Sequence, residues 1–250
     1  MKPLNILSLS LAASTTFAAS FARAQSAEPN PQPAWTSPDS VQLPEYTDRR
    51  EGTWRVESGY RGSFVSSSGY NPFSSNGYFP EFSLAASRTL LRRGRFSFAP
   101  GLAWDIGGTG ASARDQPSSL SMQRLTVSLE GRVHFGPWGY AYLRAAPGAA
   151  MVHAEIDDTS SPAPLEKTQW LFATDLSAGY SWLVWPRREA SVLEPRLWLQ
   201  GEGGYGWVAE ERLALAPALA SGSPDSVNGI DLGNLTMQGG FFRIAAAVSF

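Results

Sequence analysis

Apolar and polar residues alternate along most of the chain from Gly52 to Phe250. In the clearest stretch, Leu125, Val127 and Leu129 fall on one parity, and charged or hydroxyl residues fall on the other. A period of two is typical of a β-strand whose two faces meet different surroundings. Eight segments predict eight strands: 54–64, 78–90, 95–106, 124–135, 138–153, 170–182, 196–207 and 242–250. The fifth is ambiguous in phase, because Tyr140, Tyr142 and Arg144 share one parity.

The connections between these segments differ in length in a regular way. Short turns are predicted at 91–94, 136–137 and 186–189, whereas long polar loops are predicted at 66–77, 107–119, 155–166 and 209–235. Short turns at one end and long loops at the other are typical of outer-membrane barrels. The last loop also contains Leu213, Leu215, Leu219, Ile230, Leu232 and Leu235, so an extra hairpin and ten strands remain possible beside the preferred eight.

Alternation alone does not distinguish a soluble β-sandwich from a membrane barrel, because only the assignment of the two faces differs. Aromatic residues cluster near the segment ends, as they do in the interfacial girdles of membrane barrels. The mid-strand carboxylates lie on the parity opposite the bulky apolar residues. We therefore predict an all-β fold, an antiparallel up-and-down transmembrane β-barrel. A soluble secreted or periplasmic barrel or sandwich that binds an apolar ligand is the alternative, and it requires the aromatic parity to face inward.

The amino-terminal residues have a different composition. Residues 1–24 combine Lys2, an apolar run and Ala22-Arg23-Ala24, a pattern that predicts an export signal peptide. Residues 25–50 are rich in Pro, Ser and Gln and predict a disordered periplasmic leader. The barrel is then expected to occupy residues 51–250.

Composition excludes several classes of site. Charged residues make up only 17% of the chain, where soluble domains average about 25%. The net charge of −2 gives no electrostatic reason to expect a nucleic-acid partner. With no Cys and only His134 and His153, we expect no disulfide, no metal site and no cofactor.

The polar parity carries nearly balanced charges toward the predicted barrel interior. Buried charges persist when they are paired, and an eight-stranded barrel has just enough room for its interior side chains. We therefore predict a lumen plugged by ion pairs, with a narrow polar pore as the alternative. The predicted network comprises Glu57, Arg61, Asp105, Arg124, Glu130, Arg132, Asp175, Arg196, Glu202 and Arg243, and Arg55 and Glu81 share its parity.

A catalytic role is the least favoured interpretation. Outer-membrane lipid A deacylases are similar in size and carry a His-x-Ser pair, but His134 is followed by Phe135-Gly136 and His153 by Ala154-Glu155. Neither histidine has a serine partner at that spacing, so we predict no catalytic residue.

From residue 52 onward the chain resembles the small eight-stranded outer-membrane barrels of Gram-negative bacteria, of the OmpA and OmpX type. In that group a carboxy-terminal Phe preceded by alternating apolar residues is an assembly signal, and Phe242, Ile244, Ala246, Val248 and Phe250 match it. The resemblance implies an outer-membrane location, contact with lipid and lipopolysaccharide, and insertion by the barrel-assembly machinery. A structural role, or binding of an extracellular partner through the loops, is the expected function.

Overall fold

The computed structural model describes residues 53–113, 116–136, 138–157, 163–184, 195–217 and 230–250. The predicted signal peptide at 1–24 and the predicted leader at 25–50 lie outside these residues. Within the described ranges, no helix is long and apolar enough to cross a membrane.

The described chain is almost entirely β-structure, with one short 3-10 turn at Asn71–Phe73. Its strands are β1 (Trp54–Phe64), β2 (Tyr78–Arg88), β3 (Leu91–Arg93), β4 (Phe96–Ala113), β5 (Gln116–His134), β6 (Gly139–Ile156), β7 (Leu165–Leu183), β8 (Arg196–Val208), β9 (Glu211–Pro217), β10 (Ile230–Leu235) and β11 (Gly239–Ser249).

Eight of these strands close into an antiparallel barrel. Their order around the barrel is β1, β2, β4, β5, β6, β7, β8 and β11, and β11 pairs back onto β1. At the closing seam Tyr60 lies opposite Ile244 and Arg61 lies opposite Arg243. The short β3 continues the edge of β2 and pairs with the start of β4. The predicted eight-stranded antiparallel barrel is confirmed.

The two parities of each strand occupy opposite faces of the barrel wall. On β5, Thr126 is 2% exposed and Leu125 is 57% exposed. The same alternation continues from Ser118 to Arg132, with every second side chain buried. The polar side chains of this strand therefore face the lumen and the bulky apolar ones face outward, as the sequence pattern predicts.

The prediction of a long loop at residues 107–119 is wrong. Residues 107–119 continue β4 and β5, which are separated only by positions 114 and 115. Leu120 and Met122 are buried and point into the lumen on the same parity as Arg124. The alternation of β5 therefore continues through residues whose polar composition predicts a loop. Strands β6 and β7 likewise extend to Ile156 and from Leu165, which shortens the loop predicted at 155–166.

The predicted last loop contains the additional hairpin. Strands β9 and β10 pair with each other, and β9 continues the sheet from the start of β7. Leu213, Leu215 and Leu235 are buried and Ile230 and Leu232 are half-buried, whereas Leu219 lies outside the described residues. The barrel thus keeps eight strands, and the hairpin stands on its rim.

Candidate functional site

We call the half of the lumen nearer the β9–β10 hairpin the upper half. It holds a cluster of buried ion pairs. Arg61 Nη1 lies 2.5 Å from Asp175 Oδ2, and Arg61 Nε lies 3.1 Å from Glu81 Oε2. Arg124 contacts Glu81, Asp105 and Asp175 at 3.2, 2.8 and 3.1 Å. These five side chains come from β1, β2, β4, β5 and β7, so the upper cluster ties together strands on opposite sides of the barrel.

A second cluster lies nearer the start of β1 and the end of β11, and Arg144 is at its centre. Its guanidinium contacts Glu130 at 2.6 Å, and Glu57 and Glu202 at 3.1 Å each. Arg132 Nε lies 2.6 Å from Glu130 Oε1. Arg55 completes this lower cluster at 3.6 Å from Glu57, so three arginines balance three carboxylates.

Arg243 connects the two clusters. Its guanidinium lies 3.5 Å from Asp105 in the upper cluster and 3.6 Å from Glu202 in the lower cluster. With Arg243 included, the upper cluster also has three arginines and three carboxylates. Arg196, the remaining arginine of the predicted network, is the first residue of β8, six residues before Glu202. It is half-buried and lies opposite Ser249.

The sequence prediction omitted Arg144, which is only 5% exposed. The phase of the fifth segment was ambiguous because Tyr140 and Tyr142 share the parity of Arg144. Both tyrosines are buried in the lumen. The charge balance of the sequence gives no signal for Arg144, because the polar parity with Arg196 counted already holds six arginines and six carboxylates.

A glycine makes room for the upper cluster. A Cβ atom at Gly206 would lie 2.8 Å from Arg61 Nη2 and 2.8 Å from Asp175 Oδ1. Any side chain there would displace the Arg61–Asp175 pair. By contrast, a Cβ at Gly203 on the same strand would meet its nearest atom, Phe241 O, at 3.9 Å.

An aromatic layer lies at the lower end of the lumen. Tyr140 and Trp198 are buried with ring centroids 5.6 Å apart. The guanidinium carbons of Arg55 and Arg132 lie 5.5 and 5.0 Å from the centroid of the Tyr140 ring. Trp198 Nε1 donates a hydrogen bond to Ser249 at 2.9 Å. The layer therefore joins lumen charges to the last strand.

One histidine contacts a serine of a neighbouring strand, a kind of contact that the search for a His-x-Ser pair within one strand does not cover. His134 Nε2 lies 2.9 Å from Ser97 Oγ, and both residues are buried beside Tyr140. The two residues belong to neighbouring strands, β4 and β5, so a motif within a single strand does not reveal them. The other histidine, His153, contacts the Thr168 hydroxyl at 2.8 Å on the barrel exterior.

Above the upper ion cluster the lumen is filled by apolar side chains. Strands β5, β6, β7 and β8 turn such side chains inward, and the 65–77 segment and the β9–β10 hairpin cover them. We call this group the apolar cap. Its buried members are Val65, Tyr70, Phe73, Phe79, Leu120, Met122, Ala150, Val152, Ala154, Ile156, Leu165, Leu171, Ala173, Val208, Leu213, Leu215, Leu235 and Met237.

Hydrogen bonds hold the cap together across the mouth of the barrel. Ser118 Oγ donates to Pro72 O at 2.5 Å at the β5 side, and Ser67 Oγ donates to Asn234 O at 3.3 Å at the β10 side. Tyr70 donates from its hydroxyl to Tyr78 O at 2.8 Å, and burial raises the pKa of Tyr70 above its ordinary value. The 65–77 segment thus bridges the space between β5 and β10.

The outer surface changes polarity part-way up the long strands. On β5, Leu125 through Phe135 present apolar side chains outward, whereas Gln123, Ser121 and Ser119 are the outward residues above them. Apolar side chains turn inward at the same point. The Leu125-to-Phe135 stretch, at about 3.3 Å per residue and a tilt of about 40°, is about 25 Å high, which matches the apolar band of membrane barrels.

The carboxy-terminal residues lie on the outward face of β11. Ile244, Val248 and Phe250 are exposed and Phe242 is half-buried, with Ala246 in the same phase. Phe250 exchanges two backbone hydrogen bonds of 3.0 Å with Trp54. The last strand therefore closes the barrel, while its role as an assembly signal stays a prediction.

No known protein family and no curated protein matches the sequence. Solved structures with a similar fold include Neisserial surface protein A, at 12% identity and a TM-score of 0.47, with 79% of this chain and 97% of that chain covered. Another is Ail, the attachment invasion locus protein of Yersinia pestis, in complex with the heparin analogue sucrose octasulfate, at 12% identity, TM-score 0.45, and 80% and 99% coverage. The outer membrane protease OmpT from Escherichia coli has 9% identity, TM-score 0.43, and 79% and 93% coverage. These likenesses are too distant to indicate a function or a substrate.

Proposed function

We propose that the protein is an integral outer-membrane β-barrel with a closed lumen and a rigid extracellular extension. The observation that carries this proposal is the exposed apolar band, about 25 Å high, on a barrel whose charges face inward. In water such a band would expose far more contiguous apolar surface than soluble monomers do. In a bilayer the same band meets hydrocarbon, and no charged side chain of its described residues bears the roughly 2 to 4 kcal/mol cost of a lipid-facing position.

The soluble alternative required the aromatic parity to face inward. Trp54, Trp104, Trp170 and Trp182 instead have exposed fractions of 40, 42, 65 and 50% on the outward face. That arrangement removes the basis for an apolar ligand pocket lined by these aromatic side chains.

Fractionation of cells tests the location. We expect the protein in the outer membrane, extractable only with detergent, and as a folded band that changes gel mobility on boiling. Release of the protein by osmotic shock, with no mobility shift, would refute the proposal. Deleting Phe250 tests the assembly signal separately, because insertion by the barrel-assembly machinery should then fall while export continues.

Burial of the lumen charges supports a closed lumen. Arg61, Arg124 and Arg132 are 1, 2 and 2% exposed, as expected where no water-filled channel runs past them. The ion pairs, the aromatic layer below and the apolar cap above together act as the proposed plug. Purified protein in a planar bilayer should therefore give no steady conductance, and reproducible open-channel steps would favour the narrow pore.

The apolar cap supports a structural or binding role outside the cell. Strands β4 to β7 extend beyond the apolar band, and the cap fastens the 65–77 segment and the β9–β10 hairpin onto them. A packed support of this kind holds surface segments in place for contact with lipopolysaccharide or an extracellular partner. Replacing the 65–77 segment by a short Gly/Ser linker should abolish any such binding while the membrane barrel stays assembled.

A further inference from the structure

Exposed charges are separated along the barrel axis. On the described surface above the apolar band, Lys167 and Arg212 accompany a larger set of carboxylates: Glu155, Asp157, Glu166, Glu210, Glu211 and Asp231. At the opposite rim, the described exposed charges are arginines without an exposed Asp or Glu side chain: Arg88, Arg92, Arg93 and Arg95, with Arg196 half-buried. The described part of this lower rim is therefore basic.

Most of this positive charge lies in one turn, residues 90–96, which we call the basic hairpin. Gly94, with φ of 59°, forms its tip. Leu90, Leu91 and Phe96 are 55, 67 and 64% exposed beside three exposed arginines. The hairpin is thus amphipathic, and its three apolar side chains are exposed together with those of Arg93 and Arg95.

The register places the basic hairpin at the lower edge of the apolar band. Phe96 pairs with Val133, Val133 with Ala141, and Ala141 with Tyr180, so these residues form one outward row around the wall. Just below this row Phe135 is 66% exposed. The hydrocarbon that would surround the apolar band therefore also contacts the apolar residues of the hairpin. The arginines of the hairpin then lie at the level where the lipid headgroups begin.

We propose that the basic hairpin binds the headgroups of anionic phospholipids in the periplasmic leaflet, an inference that rests on the proposed membrane location. Leucine and phenylalanine side chains insert among acyl chains, while guanidinium groups match phosphate oxygens in a bidentate geometry. Each arginine near an anionic membrane surface strengthens binding by about fivefold. A lipid fits better than a protein partner, because the apolar residues of the hairpin are continuous with the lipid-facing band.

The test compares two phospholipids competing for the folded protein. Detergent micelles containing equal amounts of phosphatidylglycerol and phosphatidylcholine are mixed with the protein, and native mass spectrometry counts the lipids that stay bound. The variant Arg93→Gln/Arg95→Gln removes two charges from the hairpin. The matched control Lys167→Gln/Arg212→Gln removes two charges from the upper surface, and Arg93→Lys/Arg95→Lys keeps the hairpin charge. Heat-modifiable gel mobility verifies that every variant is folded.

We expect the parent protein to retain phosphatidylglycerol, the Arg93→Gln/Arg95→Gln variant to lose about twentyfold in preference, and the control to keep it. The lysine variant should recover most of the preference, and salt should weaken it. Equal retention of both lipids by the parent, or an equal loss in the control, would overturn the inference and leave the barrel proposal intact. A parent protein that retains neither lipid and shows no heat-modifiable mobility would overturn both.

Discussion

Replacing Arg144 with methionine removes the centre of the lower ion cluster. Arg144 is 5% exposed and contacts Glu130, Glu57 and Glu202 at 2.6, 3.1 and 3.1 Å. Methionine fills similar space but leaves three carboxylates with two arginines of the cluster. Breaking a buried pair by removing one partner costs about 3 to 5 kcal/mol, or two to four powers of ten in the unfolding equilibrium.

The assay is unfolding by guanidinium in lipid vesicles, followed through heat-modifiable gel mobility and tryptophan fluorescence. A second variant, Arg144→Met/Glu202→Gln, removes one carboxylate as well and should recover a large part of the lost stability. The exposed Arg212→Met, which breaks only a surface pair with Asp231, serves as the control and should change stability little. A loss below about 1 kcal/mol for Arg144→Met would refute the reasoning, because only a hydrated lumen would screen the unpaired carboxylates so well.

Three further outcomes can be checked with the same preparation. Gly206→Ala should lower stability by about 1 to 3 kcal/mol through crowding of the upper cluster, whereas Gly203→Ala should be close to neutral, as equilibrium unfolding will show. Leu215→Ala, at a site 1% exposed, should loosen the apolar cap by about 2 to 5 kcal/mol and raise hydrogen exchange in β9, while unchanged exchange would argue against a packed cap. Ser97→Ala should cost about 1 kcal/mol through the lost hydrogen bond to His134, and a fluorophosphonate probe should not label the parent serine; labelling would favour a catalytic pair.

Sequence alternation was sufficient for the parts of the fold that depend on one strand at a time. The parity of β5 predicts which side chains enter the lumen, because neighbouring residues on any strand point to opposite faces. Contacts between strands depend on register, which alternation does not contain. The Ser97–His134 pair and the three partners of Arg144 therefore emerge only when the register between strands is known.

The error at residues 107–119 has a different physical origin. Serine and glycine there are typical of loops, but Leu120 and Met122 retain the strand phase. Above the apolar band the faces exchange polarity, so the rule that charged or hydroxyl residues point inward fails while the period of two persists. Reading the period without assigning a fixed polarity to either face would have extended the strand correctly.

The change of polarity on β5 also determines how deeply the barrel sits in a membrane. Sinking by one residue pair, about 5 Å along the membrane normal, would place Gln123 in hydrocarbon, and rising by the same amount would lift Leu125 into the headgroups. Both displacements are unfavourable for β5, whose boundary therefore contributes to the immersion depth. The long strands β4 to β7 lie together on one side of the wall. The boundary between their apolar and polar outward side chains therefore also resists tilting of the barrel toward that side.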